Sequence, residues 1–203
     1  ERMESEGQTC VLVTVDDALA GAIGVRDELR PEVPEAVQAL HANDVEVSML
    51  TGDNTRTARA LAGIAGIDDV RAELRPEDKA SIVAEFSSKT PTAMIGDGIN
   101  DAPALAGATV GIAMGATGSD AAIDSADVAF TGHDLRLIPQ ALQHARRGSR
   151  IINQNIVLSL AIIIVLMPLA ISGVLGLAAV VLVHEVAEVI VILNGLRAAQ
   201  AKR

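Results

Sequence analysis

Hydrophobic and polar residues alternate along the first two thirds of the chain in short blocks that predict strands and helices in turn. β-rich or apolar runs predict a hairpin over Gln8–Val25 and then strands over Val45–Leu50, Thr92–Ile95, Ala108–Ala113 and Ala126–Phe130. Segments with helical spacing or polar caps predict helices that run to about Ala42, from about Thr55 to Ile64, from Pro76, from Pro103 and over Ser119–Ser125. This alternation predicts an α/β fold with a parallel sheet covered on both faces.

The helix that begins at Pro76 carries a lysine on its apolar side. Lys79, Ile82, Val83 and Phe86 follow helical spacing, so the lysine shares a face with the apolar stripe. An inward-facing lysine needs a carboxylate or a phosphate partner. The alternative is a surface lysine whose stem covers apolar area while its ammonium group stays in water.

From Ile151 the pattern changes to a long apolar segment. Residues 151–183 contain no charged side chain, which fits two helices of about 20 residues with a turn over residues 172–176, the second running to Asn194. Arginines and lysines flank both ends of this segment, so both ends are predicted to be cytoplasmic and the protein to be a multi-pass protein of the cell membrane, in contact with lipid. A buried soluble helical pair is the alternative.

Charge separates the same two regions. Residues 1–145 carry 24 acidic and 10 basic side chains, a net charge of −14, whereas residues 146–203 carry 2 and 6, a net charge of +4. The acidic part lacks the clustered Lys and Arg that nucleic-acid binding requires, so we expect no nucleic-acid partner. Cys10 is the only cysteine, which excludes an internal disulfide.

The segment from Met94 to Leu105 predicts a functional site. An apolar strand ends among glycines at Asp97 and Asp101, and Pro103 then begins a helix. Ligands bind at the carboxyl ends of strands in open α/β sheets, and paired carboxylates on one loop suit Mg²⁺. The alternative is an ordinary glycine turn that Asp and Asn keep solvated.

Two more segments are expected to converge on this point. Thr51-Gly52-Asp53 also follows a predicted strand, and Lys79 lies in the crossover between the two. Together these side chains could hold a phosphoryl group, with Thr51 donating a hydrogen bond, Lys79 offsetting charge and Asp97 holding Mg²⁺. A nucleophile with an activating partner is absent from the pattern.

Five segments resemble, in order, the later motifs of the P-type ATPase phosphorylation domain, a haloacid-dehalogenase-like (HAD-like) Rossmannoid fold. They are residues 49–53, 75–79, 95–105, 111–115 and 126–129. The resemblance implies a parallel-sheet phosphorylation domain followed by a two-helix transmembrane hairpin. It divides the chain into the end of a nucleotide-binding domain (1–25), the phosphorylation domain (26–148) and the hairpin with a cytoplasmic tail (149–203).

The resemblance also implies roles for individual residues. Thr51, Gly52 and Asp53 would contact the phosphoryl group, Lys79 the phosphorylated aspartate, and Asn100 would belong to the catalytic loop. Asp97 and Asp101 would serve the Mg²⁺ site, with ATP as the phosphoryl donor.

The segment Asp-Lys-Thr-Gly-Thr, which supplies the phosphorylated aspartate in that family, is absent from these 203 residues. We therefore expect the chain to be the C-terminal portion of a transporter, to work with the remaining domains of the intact protein and to be inactive alone. Two alternatives stay open: a membrane-anchored phosphatase of the same fold, and a non-catalytic regulatory fragment.

The second apolar helix carries His184, Glu185 and Glu188, and resembles the final helix of heavy-metal P-type ATPases. His184 and Glu188 are one turn apart, and imidazole with carboxylate suits a divalent ion such as Zn²⁺, Cd²⁺ or Co²⁺. Ionisable groups inside a span are usually functional, although hydrogen bonding to the neighbouring helix is the alternative. Val186 and Glu188 replace the usual glycine and threonine, and Ile163 stands where zinc and lead exporters have a lysine, which leaves the transported metal open.

Overall fold

The structure is a computed structural model that describes residues 9–15, 18–25, 28–96, 99–115 and 123–199. The chain divides into two compact units, residues 1–136 and residues 137–203. The helix predicted over Ser119–Ser125 falls largely outside the described residues, as does the Asp16-Asp17 turn.

The first unit contains strands and helices in near alternation. In chain order the described elements are β1 (Thr9–Val15), β2 (Ala18–Val25), α1 (Val33–His41), β3 (Ser48–Leu50), α2 (Thr55–Ala65), β4 (Asp69–Arg71), α3 (Pro76–Lys89), β5 (Ala93–Gly96), a 3-10 turn (Ile99–Asp101), α4 (Ala102–Gly107), β6 (Val110–Met114) and β7 (Val128–Phe130).

The crossover strands pair in parallel, as the alternating pattern predicts. β3 pairs with β4, with Met49 opposite Val70, and β5, β6 and β7 form a second parallel ladder. No described strand joins the two ladders, so the described residues do not form the one continuous sheet that we expected. The predicted hairpin is confirmed, because β1 and β2 pair antiparallel from Thr9 opposite Val25 to Val15 opposite Ala18.

Strand β4 was missing from the sequence prediction. It is three residues long and pairs only with the three residues of β3, which explains why the strand predicted over Val45–Leu50 forms only at its end. The guanidinium carbon of Arg71, the last residue of β4, lies 4.9 Å from the centre of the Phe86 ring in α3. This contact connects β4 to α3.

The core of the second ladder is tight where α4 crosses β6. Leu105 and Ala113 are almost fully buried, and Met94 and Ala126 pack against them. A Cβ on Gly111 would lie 2.7 Å from the Leu105 carbonyl oxygen, so only glycine allows this approach. These contacts give a structural reason for two of the matched segments, 111–115 and 126–129.

Two of the helices next to the predicted site, α2 and α3, begin at defined caps. The Asn54 side chain accepts a hydrogen bond from the Thr57 N–H at 2.9 Å at the start of α2, which ends at Gly66 with φ +77°. At α3 the Asp78 carboxylate accepts from the Arg75 N–H at 3.0 Å, and Pro76 occupies the first turn. Side-chain caps of this kind satisfy N–H groups that lack partners within the helix and fix where it starts.

The last residues of the first unit fold back onto its beginning. Arg30 donates from Nη1 to the His133 carbonyl oxygen at 2.9 Å, and Arg136 pairs with Asp134 at 2.9 Å and with Glu35 of α1 at 3.4 Å. The hydrogen bonds from Arg136 lower the pKa of the Asp134 carboxyl group below its usual value.

The second unit consists, in its described residues, of two helices, α5 (Leu137–Ile171) and α6 (Leu177–Ala199). Both are long and apolar enough to cross a membrane. The turn between them occupies residues 172–176, as predicted, and contains Gly173 at φ +73°. Helix α5 begins fourteen residues before the apolar segment at Ile151, so its polar first part and its apolar part form one helix.

Hydrogen bonds between amide side chains join α5 to α6. Asn194 donates from Nδ2 to the Asn155 Oδ1 at 2.8 Å and to the Gln154 Oε1 at 3.3 Å, and Asn155 donates to the Val191 carbonyl oxygen at 3.3 Å. We call Gln154, Asn155 and Asn194 the amide cluster. Next to it, a Cβ on Gly195 would lie 3.9 Å from the Asn155 side chain, an ordinary van der Waals distance, so Gly195 lies beside the cluster.

Candidate active site

Lys79 and Asp101 form an ion pair between two elements of the first unit. The Lys79 Nζ, in the first turn of α3, lies 2.9 Å from the Asp101 Oδ1, at the residue that precedes α4. The two side chains are 18% and 14% exposed. The sequence predicted that an inward-facing lysine would meet a carboxylate or a phosphate, and the structure gives it a carboxylate.

Gly96 sets the position of Asp101. A Cβ at Gly96, the last residue of β5, would lie 2.8 Å from the Asp101 Cβ and 3.0 Å from its Oδ2. A real Cβ does not approach another atom so closely, so a side chain at this position would displace the carboxylate. Asp101 is therefore paired with Lys79 at one carboxylate oxygen and packs against Gly96, where only glycine leaves room for its side chain.

The Thr51-Gly52-Asp53 segment forms a closed loop directly after β3. The Thr51 hydroxyl donates to the Asp53 Oδ2 at 3.0 Å and accepts from the Asp53 N–H at 3.1 Å. A Cβ at Gly52 would lie 3.3 Å from the Leu74 carbonyl oxygen, so the loop runs close to the segment that follows β4. The three predicted phosphoryl-binding residues thus lie together at the carboxyl end of a parallel strand.

The structure describes only some of the remaining residues of the predicted loop. Asn100 is exposed in the 3-10 turn. Asp97, the other predicted Mg²⁺ ligand, lies outside the described residues. The ligand roles of Asp97 and Asp101 therefore stay predictions.

The second predicted site lies on α6. His184, Glu185 and Glu188 are exposed side chains of this helix. Within the described ranges, no three His, Cys, Asp or Glu side chains lie close enough together to hold a metal ion. Their role in metal binding also stays a prediction.

One residue at the Thr51 loop was missed by sequence reasoning. Glu73 has a left-handed backbone (φ +59°) and contacts both Asp53 and Thr55. No sequence pattern around this glutamate predicts its left-handed backbone or its contacts. The residues that it contacts lie 18 and 20 positions earlier in the chain. Only the fold brings them together.

Nearly the whole chain is similar to part of known cation-transporting ATPases. Probable cation-transporting ATPase G of Mycobacterium tuberculosis is 63% identical over 200 residues, which are 98% of this chain and 26% of that protein. The cadmium-transporting ATPase of Staphylococcus aureus is 40% identical over 202 residues, 98% of this chain and 28% of that protein. The chain thus spans about a quarter of the length of these curated relatives.

The fold gives the same result. A crystal structure of a zinc-transporting PIB-type ATPase in the E2.Pi state matches with a TM-score of 0.86 and 42% identity, over 97% of this chain and 32% of that one. The sequence of residues 1–109, more than half of the chain, matches the haloacid dehalogenase-like hydrolases. The predicted HAD-like parallel fold followed by two apolar helices is therefore confirmed, and the chain belongs to the haloacid dehalogenase-like hydrolase family.

Proposed function

We propose that this chain is the phosphorylation domain and last membrane hairpin of an ATP-driven heavy-metal cation transporter. The phosphorylated aspartate would lie in a part of the intact protein outside these residues. The observation that carries the proposal is the Lys79–Asp101 pair beside Gly96 at the carboxyl end of β5. Its support is the similarity to cation-transporting ATPases over nearly the whole chain.

In this proposal the first unit stabilises phosphoryl transfer. The Thr51 hydroxyl donates a hydrogen bond to a phosphoryl oxygen instead of to Asp53. Lys79 supplies a positive charge that its pairing with Asp101 holds in place. The carboxylate and amide side chains of residues 97–101 suit Mg²⁺, because hard cations prefer oxygen ligands of these kinds, and Lys79 contacts Asp101 at Oδ1. When bound, Mg²⁺ would offset the negative charge of the phosphoryl group.

The second unit would provide part of the path for a divalent heavy-metal ion, with Zn²⁺, Cd²⁺ or Co²⁺ as the substrate. His184 and Glu188 are separated by one turn of α6, and Glu185 is adjacent to His184. In the chain as described these side chains are exposed, so further ligands would come from the remaining helices of the intact transporter. Relatives named for cadmium and zinc support this class of substrate.

Replacing Asp97 tests the phosphoryl-transfer part. In the intact protein, Asp97→Asn should abolish labelling by radioactive ATP, because the change removes a negative charge from the predicted Mg²⁺ site. Asp68→Asn, an exposed carboxylate before β4, is the matched control and should label normally. Normal labelling of the Asp97→Asn protein would contradict the assignment, and phosphatase activity of the chain alone would favour the membrane-anchored phosphatase.

Replacing His184 tests the metal path. His184→Ala should weaken the stimulation of ATPase activity by Zn²⁺, Cd²⁺ or Co²⁺ about tenfold or more, because it removes an imidazole ligand. His144→Ala, an exposed histidine of α5, should leave the metal response unchanged. An unaltered metal response in the His184 variant would remove this residue from the path.

A further inference from the structure

The loop after β3 is bound to the segment after β4 by backbone hydrogen bonds that extend beyond the two strands. Thr51 donates to the Arg71 carbonyl oxygen at 3.0 Å, and Leu74 donates back to the Thr51 carbonyl oxygen at 3.1 Å. Glu73 then donates to the Asp53 carbonyl oxygen at 2.8 Å. The backbone of Thr51-Gly52-Asp53 is therefore held from the β4 side at both of its ends.

The Glu73 side chain adds a second attachment to the same region. Its Oε1 accepts from the Thr55 N–H at 3.2 Å and from the Thr55 hydroxyl at 3.0 Å. Thr55 is the first residue of α2, so its N–H has no carbonyl partner within the helix. A carboxylate is favourable there, because the N-terminal end of a helix carries partial positive charge.

The backbone of Glu73 is unusual for its residue type. Its φ of +59° lies in the left-handed region, which glycine and asparagine adopt more easily than glutamate. In this turn the backbone bond to Asp53 could be made by any residue with an N–H. The feature that requires glutamate is the long carboxylate side chain that reaches Thr55.

We propose that Glu73 is a positioning residue for the phosphoryl-binding loop. Its N–H fixes the end of the loop at Asp53, and its carboxylate fixes the start of α2 at Thr55. The Thr51 hydroxyl is thereby held at the carboxyl end of β3, ready to exchange its bond with Asp53 for one with a phosphoryl oxygen. This inference rests on the proposed function of Thr51, and Glu73 itself touches no reacting atom.

Hydrogen exchange in the whole chain, in detergent, tests the attachment without any activity. Glu73→Gly lowers the conformational cost of the left-handed backbone but removes the carboxylate. The Thr55 amide should therefore exchange about tenfold faster than in the parent chain. The Thr57 amide, which donates to Asn54, should not change and serves as the internal control. Glu73→Gln keeps an acceptor oxygen at the same place and should restore protection to within about threefold.

Two further variants control for the backbone. Asp44→Gly relaxes the other left-handed residue of the described chain that is not glycine (φ +57°), in the turn after α1, and should leave Thr55 protected. Glu73→Asn keeps a residue that tolerates this φ but has a side chain too short for Thr55, so it should behave like Glu73→Gly. Equal Thr55 exchange in all of these proteins would overturn the proposal.

Inhibition by orthovanadate, a phosphate mimic, tests the consequence in the intact transporter. Glu73→Gly should raise the concentration for half-inhibition about tenfold, while Glu73→Gln and Asp44→Gly should stay within about threefold of the parent. Unchanged vanadate sensitivity of Glu73→Gly would overturn the positioning role. A parent protein that forms no phosphoenzyme would instead overturn the proposed function, and the Thr55 exchange would still decide whether Glu73 holds the loop.

Discussion

Two lysine–carboxylate ion pairs in this chain differ in the solvent exposure of their side chains. Lys79 and Asp101 are 18% and 14% exposed and connect two elements 22 residues apart, whereas Lys89 and Glu85 are 67% and 56% exposed and lie one turn apart on α3. Lys89 lowers the pKa of Glu85 by a hydrogen bond and its charge. Exposed pairs of this kind add little to stability, because water competes with both partners.

Removing Lys79 should therefore have a larger effect than removing Lys89. Lys79→Met leaves the Asp101 carboxylate without its cation, and we expect a loss of about 1–2 kcal/mol in the free energy of unfolding of the first unit. Hydrogen exchange of the α3 and α4 amides across a urea series in detergent measures this loss.

Lys89→Met is the control and should leave the urea dependence almost unchanged. Adding Asp101→Asn to Lys79→Met should recover part of the lost stability, since no unpaired charge then remains. Similar losses for the Lys79 and Lys89 variants would show that the Lys79–Asp101 pair contributes no more than an exposed one.

At the scale of elements, the amide cluster determines how α5 and α6 meet. In an apolar environment hydrophobic burial does not drive helix association, because lipid tails are as apolar as the side chains. Packing and polar contacts remain, and the bonds of Asn194 to Asn155 and Gln154 are among the polar contacts that join the two helices, together with the bond from Asn155 to the Val191 carbonyl oxygen. Gly195 lies next to these contacts on α6.

Asn194→Leu should weaken the α5–α6 pair by about 0.6–2 kcal/mol, because it removes both interhelical bonds of this side chain. Unfolding of the chain in mixed micelles by increasing amounts of sodium dodecyl sulfate, followed by the distance between labels on the two helices, measures the change. Asn153→Leu alters an exposed amide of α5 outside the cluster and should have little effect. Equal behaviour of the two variants would exclude a role for the cluster.

The sequence predicted the ends of elements well where a cap or a break in an apolar segment marked them. The α3 start at Pro76 and the turn over residues 172–176 were both correct, because a cap and a break in a long apolar segment are local signals. Strand β4 was missed because Asp69-Val70-Arg71 has a single apolar residue and is too short for an alternating pattern to repeat. The polar beginning of α5 was missed because hydropathy detects only its apolar part.

The sequence predicted which residue types form the candidate site better than it predicted which of them contact one another. The helical spacing of Lys79 showed that it needed an anionic partner, but nothing local indicated Asp101, 22 residues away. Glu73 was missed for the same reason, since its contacts depend on the pairing of β3 with β4 and on a backbone conformation that its residue type rarely adopts.

At the scale of the molecule, an acidic unit is followed by an apolar, net basic one. Arg146, Arg147 and Arg150 precede the apolar segment, and Arg197, Lys202 and Arg203 follow it. Basic residues near both ends of a membrane segment favour the cytoplasmic side for both. We accordingly propose that both ends of the hairpin are cytoplasmic and that the 172–176 turn faces the opposite side.

Cysteine labelling in intact cells checks this topology. In a Cys10→Ala background, a membrane-impermeant maleimide should react with Ser172→Cys from outside and with Ala199→Cys only after permeabilisation. The Cys10→Ala chain alone should stay unlabelled, since Cys10 is the only cysteine of these 203 residues. External labelling at residue 199, or none at residue 172 before permeabilisation, would reverse the proposed orientation.

The ring that contacts Arg71 belongs to a chain with an unusual optical property. The chain contains two phenylalanines and no tryptophan or tyrosine, so its near-ultraviolet circular dichroism arises from Phe86 and Phe130 alone. One of these rings lies under a guanidinium group that connects β4 to α3, next to the segment that holds the Thr51 loop. A tryptophan introduced at position 86 would be the only indole in this chain, and its fluorescence would report directly on that junction.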